Sequence, residues 1–275
     1  MLFRRSYLLI FVFGMSSCAS IFPSAARNNF SSITLGSGAF FERLVLVRQA
    51  AVAKTVGDSP LVIFIEGDGV AWITSTQAAV DPTPRRTPML NLMSTSGVNA
   101  AYLGRPCYWI NTFLAPCAPA YWTSHRFSEE VVSTMTDAVR QLRRDASQPL
   151  LLVGHSGGGT LAVLIAARLS GKVSVVTFGA VLDHEAWTAR HGVSPLSGSL
   201  NPARLMNDMR NFSELHVFAS RDETVRVADN HNYLNAPGGR PYTVIEGDHL
   251  CCWAAWWNTQ GMTALNGVRY ERKIF

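Results

Sequence analysis

The sequence predicts an α/β fold with a mostly parallel central sheet and helices on both of its faces. Short runs of apolar, largely β-branched residues recur along the chain and are typical of strands buried on both sides. Segments with helical spacing of apolar residues lie between some of these runs. The chain is 48% hydrophobic and only 16% charged, so its 275 residues can bury a substantial core.

The predicted elements alternate along the chain. The strands are expected at 44–47, 61–65, 98–103, 150–153, 173–178, 215–219 and 242–245. One helix is expected after Ser128, which can cap it, because Glu129 and Glu130 suit a helix N-terminus. A second helix, at about 158–169, is apolar nearly all round, as expected of a helix packed on a sheet.

Two longer segments, at about 70–95 and 183–212, lack a clear period and contain several prolines. Long connections of this kind are usually functional, so we expect both at the rim of a site, either as a lid or as surface decoration. The remaining pattern predicts one domain over 44–275, preceded by a tether and linker at 18–43.

Residues 1–17 have the pattern of an export signal. Arg4 and Arg5 precede an apolar run too short to span a bilayer, and Cys18 follows two serines. This segment resembles a bacterial lipoprotein signal peptide, which implies that Cys18 is the lipid-modified first residue. Ala19 then favours the outer membrane, facing the periplasm. An ordinary cleaved signal and a twin-arginine signal stay open as alternatives.

Charge gives little indication of a partner. The net charge is +5, but residues 1–17 contribute two arginines and no acid, which leaves 22 basic against 19 acidic residues and a net charge of +3. Basic residues are scattered rather than clustered, so the sequence predicts no nucleic-acid binding. The predicted contacts are a small acyl ester or lipid-like substrate, and a membrane reached through the N-terminal anchor.

The remaining cysteines suit an oxidising compartment. Cys107 and Cys117 lie ten residues apart in a proline-rich stretch and are predicted to form a disulfide, with two buried thiols as the alternative. Cys251 and Cys252 are adjacent, and their pairing stays open. A zinc site formed by these two with His249 lacks a second ligand pair, so no metal is predicted.

The strongest motif is Gly154-His-Ser156-Gly-Gly158, which lies between the 150–153 strand and an apolar helix. Glycines on both sides of the serine allow a sharp strand-to-helix turn that presents its hydroxyl. This setting resembles the nucleophile elbow of the α/β-hydrolase superfamily. A phosphate-binding loop is not indicated, because no Lys-Ser/Thr pair follows the glycines.

A serine nucleophile requires a base and an acid that orients the base. The superfamily order is serine, acid, histidine, and Asp222 and His249 each follow a predicted strand in that order. They are therefore the predicted partners of Ser156. Alternatives for the acid and the base are Asp183, Glu223, Asp248, His231 and His184. Surface or packing roles are predicted for His125, His155, His191 and His216.

An oxyanion hole needs two backbone N–H groups. The resemblance implies Gly157 for one, and for the other the Glu-Gly-Asp-Gly turn after the 61–65 strand, with Asp68 as donor and Gly69 as its neighbour. A carboxylate would repel an oxyanion, so we expect the side chains of Glu66 and Asp68 to point away and bond the surrounding loops. This turn, followed by Ala-Trp, looks like that of a group of uncharacterised bacterial hydrolases.

Together these features predict an exported serine hydrolase that cleaves an ester or related acyl bond without a cofactor. Two alternatives stay open: a non-catalytic, hydrolase-like envelope lipoprotein, and an acyltransferase that uses the same triad. Four tryptophans near the irregular loops are expected either to line an acyl pocket or to stabilise those loops: Trp72, Trp109, Trp122 and Trp187.

Overall fold

The computed structural model describes residues 30–37, 40–48, 60–96, 98, 100–109, 116–205 and 212–261. Its eight strands form one sheet in the order β1-β2-β4-β3-β5-β6-β7-β8. The strands are β1 (Phe30–Ser37), β2 (Phe40–Arg48), β3 (Leu61–Ile65), β4 (Ala100–Leu103), β5 (Leu150–His155), β6 (Val173–Phe178), β7 (Ser213–Ala219) and β8 (Tyr242–Ile245).

The sheet is parallel from β4 to β8 and antiparallel at the β1–β2–β4 edge. Strand β3 lies between β4 and β5. The chain therefore adds β4 on one side of β3, and it then crosses to the other side, where it adds β5 and β6. The point between β3 and β5 is therefore where the strand order reverses. Open parallel sheets form their ligand sites at such a point, beyond the carboxyl ends of the strands.

Helices cover both faces of the sheet, as predicted. They are α1 (Pro88–Thr95), α2 (Glu129–Leu142), α3 (Gly157–Ala166), α4 (His184–His191), α5 (His231–Leu234) and α6 (Trp253–Trp256). Alternate residues of β3 enter two separate cores: Ile63 packs with α2 and α3, whereas Phe64 packs with α1 and α6. This alternation explains why the buried strands are apolar at every position.

Helix α2 begins as the sequence predicts. The Ser128 hydroxyl accepts a 3.4 Å hydrogen bond from the Val131 N–H, and Glu129 and Glu130 occupy the first turn. Just beyond the helix, the buried Arg143 guanidinium donates to the carbonyl oxygens of Gln148 and Ser170 at 2.8 Å. This arginine connects the turns that enter β5 and β6, at the edge of the sheet opposite their carboxyl ends.

Three boundaries differ from the predictions. The linker predicted over 18–43 is wrong from residue 30 onward, because β1 and the beginning of β2 lie there. The segments predicted as irregular contain α1, with Pro88 in its first turn, and α4. Both helices have only eight residues, too few for a helical period to stand out from the flanking prolines.

Both cysteine pairs among the described residues are disulfides. Cys107 and Cys117 are joined with their Cα atoms 5.5 Å apart, and Cys107 packs with Tyr108 and Trp122 in a small buried cluster. The adjacent Cys251 and Cys252 are bonded to each other. They lie directly before α6.

The predicted signal at 1–17 and the predicted lipid site at Cys18 lie outside the described residues. Within the described part of the chain, no helix is both long and apolar enough to cross a membrane.

Candidate active site

Ser156 occupies a sharp turn between β5 and α3. Its backbone has φ 51° and ψ −125°, a conformation that L-residues rarely adopt outside functional turns. The turn is held by hydrogen bonds from the Ser156 N–H to the Phe178 carbonyl and from the Gly159 N–H to the Ser156 carbonyl, both 2.9 Å. The residue is 9% exposed and lines a cavity at the carboxyl edge of the sheet.

The glycines around Ser156 are required by close backbone approach. A methyl group on Gly154 would overlap the backbone of Gly158, and one on Gly158 would overlap the backbone of Ile65 and Glu66. The strand, the turn and the first turn of α3 therefore pack more closely than any larger residue permits.

His249 and Asp222 are hydrogen-bonded to each other. The His249 Nδ1 lies 2.7 Å from Asp222 Oδ2, and an ionised carboxylate can only accept, so Nδ1 carries the proton. The Nε2 atom is then left as an acceptor, which is the form that a general base requires. The Asp222 carboxylate is fixed in turn, because Oδ1 accepts from the N–H groups of Thr224 and Val225 at 2.9 and 2.8 Å.

Ser156 and His249 line the same cavity. Across the described residues, the hydrogen bonds of the site include the His249–Asp222 bond but none between the Ser156 hydroxyl and the His249 ring. Catalytic hydrogen bonds are often long before a substrate closes the site. The structure thus brings the three predicted residues to one edge, with the histidine–acid half formed.

His155 is a site residue that the sequence analysis treated as surface or packing. It is 3% exposed, and its Nε2–H donates a 2.7 Å hydrogen bond to the His249 carbonyl oxygen. The two rings are also in contact, with centroids 4.7 Å apart and planes inclined by 47°. Burial and the neighbouring His249 lower the pKa of His155 to about 4, so the ring is neutral. Its position inside the Gly-x-Ser-x-Gly motif was the available signal.

The 66–69 turn follows β3 and approaches Ser156. A methyl on Gly67 would lie 3.3 Å from the Ser156 Cβ, and the Asp68 carbonyl accepts a 2.9 Å hydrogen bond from the Tyr108 hydroxyl. Gly157 opens α3, where the first N–H groups lack partners within the helix. The predicted donors Gly157 and Asp68 therefore lie on the two segments that flank Ser156.

The Asp68 carboxylate bonds the surrounding loops, as expected. It pairs with Arg105 and, at 2.9 Å, with Arg126, and both arginines are buried. Burial alone would raise the pKa of Asp68, but Arg126 and Arg105 lower it to about 2. Two cations against one carboxylate leave a net positive charge at this point.

The Asp68 side chain also lies beside Gly157, the other predicted oxyanion donor. Its carboxylate packs directly on the Gly157 Cα, where a methyl group would overlap it. A negative group is favourable at a helix N-terminus, and the two arginines compensate the charge that would otherwise repel an oxyanion.

The Glu66 side chain bonds neighbouring backbone, as expected. Its carboxyl accepts hydrogen bonds from the N–H groups of Met89 and Leu90, at 3.2 and 3.4 Å, in the first turn of α1. Burial raises the pKa of Glu66 to about 8, against the opposing effect of these backbone donors. The side chain therefore holds α1 against the 66–69 turn in its neutral form at pH 7.

The cavity in front of Ser156 has a volume of about 1030 Å³. Both segments predicted to form a rim contribute to its lining. Four apolar residues, here named the apolar wall, lie on these segments: Trp72, Ile73, Val193 and Leu196. Trp187 also lines the cavity, whereas Trp122 and Trp109 pack with the Cys107 cluster.

The alternative acids and bases have other roles in the structure. Asp183 caps α4 through the N–H groups of Glu185 and Ala186, and it also accepts from the Asn201 and Asn232 amides. The Asp248 carboxylate accepts from the N–H groups that follow it. Glu223 pairs with Arg226, the His184 ring lies 3.3 Å from a backbone carbonyl, and His231 opens α5.

Metal ligands are not grouped in the part of the chain that the structure describes: no three His, Cys, Asp or Glu side chains lie close enough to hold an ion. Cys251 and Cys252 are bonded to each other, so neither offers a thiolate to a metal.

The mostly parallel sheet, the helices on both faces and the strand–serine–helix turn define an α/β-hydrolase fold. No protein-family model matches the chain, and no curated protein is significantly similar to it in sequence. Solved structures share the fold. The esterase Pf2001 of Pyrococcus furiosus superposes with a TM-score of 0.61 at 13% identity, over 86% of this chain and 91% of that one.

Two further structures have the same architecture. Esterase B from Lactobacillus rhamnosus matches with a TM-score of 0.55 at 16% identity, covering 90% of this chain and 92% of its own. Carboxylesterase CesB from Bacillus subtilis matches with a TM-score of 0.53 at 12% identity, covering 92% and 98%. At these identities the likeness establishes the fold.

Proposed function

We propose that the protein is a serine hydrolase that cleaves an ester or related acyl bond. The observation that carries this proposal is the His249–Asp222 hydrogen bond, at the carboxyl edge of the sheet, beside a serine held at φ 51°. Holding a serine in a strained backbone conformation costs free energy, and a turn with only a structural role needs neither that strain nor an oriented histidine beside it. The esterase neighbours of the same fold also support an ester substrate.

The proposed reaction has two halves. The Ser156 oxygen attacks the ester carbonyl carbon while His249 Nε2 takes its proton, and Asp222 stabilises the resulting imidazolium. The ester C–O bond then breaks, and the imidazolium returns the proton to the departing alcohol. A water molecule repeats the sequence on the acyl-enzyme and releases the carboxylic acid. No cofactor enters either half.

The Gly157 and Asp68 N–H groups are proposed to bind the oxyanion, with Gly69 as the neighbour of Asp68. The net positive charge of Asp68, Arg105 and Arg126 supports the same role, because it favours negative charge near the start of α3.

A fluorophosphonate probe tests the proposal directly, because it reacts with activated serines. Labelling of the wild type and loss of labelling and of nitrophenyl ester hydrolysis in Ser156→Ala are expected. A matched control is Ser147→Ala, an exposed serine before β5 at the opposite edge of the sheet, which should label normally. A folded wild type that neither labels nor hydrolyses esters would refute the serine hydrolase.

We also propose export and lipid anchoring through residues 1–17 and Cys18, on the sequence pattern alone. The protein would then lie in the cell envelope, anchored to the outer membrane and facing the periplasm, and its disulfides suit that oxidising compartment. Cys18→Ser should move the protein from the membrane to the soluble fraction. Unchanged fractionation would contradict the anchor.

A further inference from the structure

Two adjacent arginines lie at the mouth of the cavity. Arg85 and Arg86 are both exposed and both line it. Among the described residues, neither forms an ion pair or a hydrogen bond, whereas the cavity's other arginine, Arg126, is engaged with Asp68. Arg85 and Arg86, here named the arginine pair, thus offer unused guanidinium groups in front of the proposed nucleophile.

The backbone that carries the arginine pair is fixed at both ends to the 66–69 turn. On one side, the Val70 N–H donates to the Pro82 carbonyl at 2.9 Å, and Gly69 packs so closely on Pro82 and Pro84 that a methyl group would overlap them. On the other side, Glu66 accepts the N–H groups that open α1, immediately after the pair.

Among the described residues that line the cavity, no free carboxylate is available to the arginine pair. The acids of the lining are Glu66, which bonds the start of α1, and Asp68, which is saturated by two arginines. Nearby Asp81 accepts the Thr83 N–H at 2.9 Å and is not part of the lining. A ligand that carries an anion is therefore the natural partner of these guanidinium groups, which match carboxylate and phosphate geometry.

The mouth also carries exposed apolar side chains. In the apolar wall, Trp72, Ile73 and Val193 are 43%, 57% and 50% exposed, although such side chains are normally covered. The cavity thus combines an open apolar surface with an adjacent cationic one. This combination fits a molecule with a hydrocarbon part and an anionic group.

Resting on the proposed function, we propose that Arg85 and Arg86 form a subsite for an anionic group of the substrate. The substrate class is an acyl ester that carries a phosphate or a carboxylate, with its hydrocarbon part against the apolar wall. The arginine pair binds and orients the substrate; the reacting atoms are handled by Ser156 and His249.

The test compares pairs of esters in which one member carries an anionic group and the other is its neutral counterpart. The phosphate pair is 1-hexanoylglycerol 3-phosphate against 1-hexanoylglycerol, and the carboxylate pair is 4-acetoxybenzoate against its methyl ester. For the wild type we expect kcat/KM to favour the anionic member at least about tenfold in one pair, and this ratio to shrink in 0.5 M NaCl. The pair that shows the preference identifies the anion.

In Arg85→Gln/Arg86→Gln the ratio should fall to within about twofold of unity, because the charge is removed. The ratio compares two substrates on one variant, so partial misfolding does not change it. Arg140→Gln/Arg144→Gln removes the same charge from exposed positions before β5, at the opposite edge, and should keep the wild-type ratio. A wild type without preference in either pair, or a preference that survives in Arg85→Gln/Arg86→Gln, would overturn the subsite.

Failure of the subsite and failure of the proposed function give different results. A protein that hydrolyses neutral esters without charge preference retains the function and lacks the subsite. A protein that hydrolyses nothing and resists the fluorophosphonate lacks the function. Calorimetric titration of Ser156→Ala with the members of both pairs then still decides the subsite. Tighter binding of the anionic member in either pair supports it, and equal binding within both pairs refutes it.

Discussion

The Nε2–H of His155 donates its hydrogen bond to the backbone carbonyl of His249, so one histidine of the site positions the other. The same carbonyl also accepts the Trp253 indole N–H at 3.2 Å. The loop that carries the proposed base is thereby fixed to the residue that precedes the proposed nucleophile.

Replacing His155 should slow the reaction without weakening substrate binding. In His155→Phe the ring is kept but the N–H is lost, and we expect kcat to fall about tenfold with little change in KM, because small misplacements of a catalytic group are costly. His155→Gln, which keeps a donor, should recover part of kcat. A rise in KM with kcat unchanged would contradict a positioning role.

Asp222 and Asp183 provide a matched pair of acids. Asp222→Asn should lower kcat by about 10⁴-fold, as expected when the acid of a serine triad loses its charge. Asp183→Ala should leave kcat of the folded protein unchanged and lower the free energy of unfolding by about 1–2 kcal/mol, because it removes the cap of α4. Kinetics and urea unfolding of both variants separate the roles, and the opposite pattern would make Asp183 the acid.

Glu66 should make stability fall as the pH rises. Its folded pKa of about 8 lies above the ordinary value of 4.5, so the folded state holds a proton that the unfolded state releases. Stability contributed by Glu66 is complete below about pH 4.5 and is lost between there and about pH 8. The stability of Glu66→Gln relative to wild type should therefore increase from pH 5 to pH 8 in urea titrations. A difference that does not vary with pH would mean that Glu66 is charged throughout.

Asp68 should have the opposite dependence. Its folded pKa of about 2 lies below the ordinary value of 3.8, so its contribution to stability is present above pH 3.8 and is lost as the pH falls towards 2. Asp68→Asn leaves two buried cations without a counter-charge and should cost about 3–5 kcal/mol.

The exposed Arg204–Glu185 pair is the control for Asp68, and Glu185→Gln should cost less than about 1 kcal/mol. Equal losses of unfolding free energy in the two variants would show that the Asp68 cluster contributes no more than a surface pair.

The two disulfides should affect different properties. Cys107→Ser/Cys117→Ser opens a loop closed over a separation of ten residues and should lower the free energy of unfolding by about 2–3 kcal/mol. The Cys251–Cys252 bond closes almost no chain, so Cys251→Ser/Cys252→Ser should leave unfolding nearly unchanged. Because it lies beside His249, this second variant should instead lower kcat. Equal stability losses in both variants would contradict the loop-closure argument.

The fold was largely predictable because its signals are local. Apolar runs marked seven of the eight strands, and Ser128 marked the start of α2. β1, with the sequence Phe-Ser-Ser-Ile-Thr-Leu-Gly-Ser, was missed because serine and glycine break its apolar pattern. Its place in the sheet depends on pairing with β2, and this pairing cannot be recognised from the sequence of β1 alone.

The site was predictable where spacing and order carried it, as for Ser156, Asp222 and His249. The side chains around it depend on contacts between distant segments. The Asp68–Arg126 pair joins residues 58 positions apart, and the His155–His249 bond joins residues 94 apart. No local pattern distinguishes such arginines and histidines from solvated ones, so their roles required the three-dimensional structure.

Arg143 stabilises the edge of the sheet that lies opposite the cavity. Its guanidinium fastens the turns into β5 and β6 at the edge farthest from Ser156, where the neighbouring Arg144 and Asp145 are exposed. A dye or an immobilising linker attached there would keep the cavity turned towards the solution. On a sensor surface coated in this way, the cavity of every molecule would face the solution, where lipid vesicles or dissolved esters could reach it.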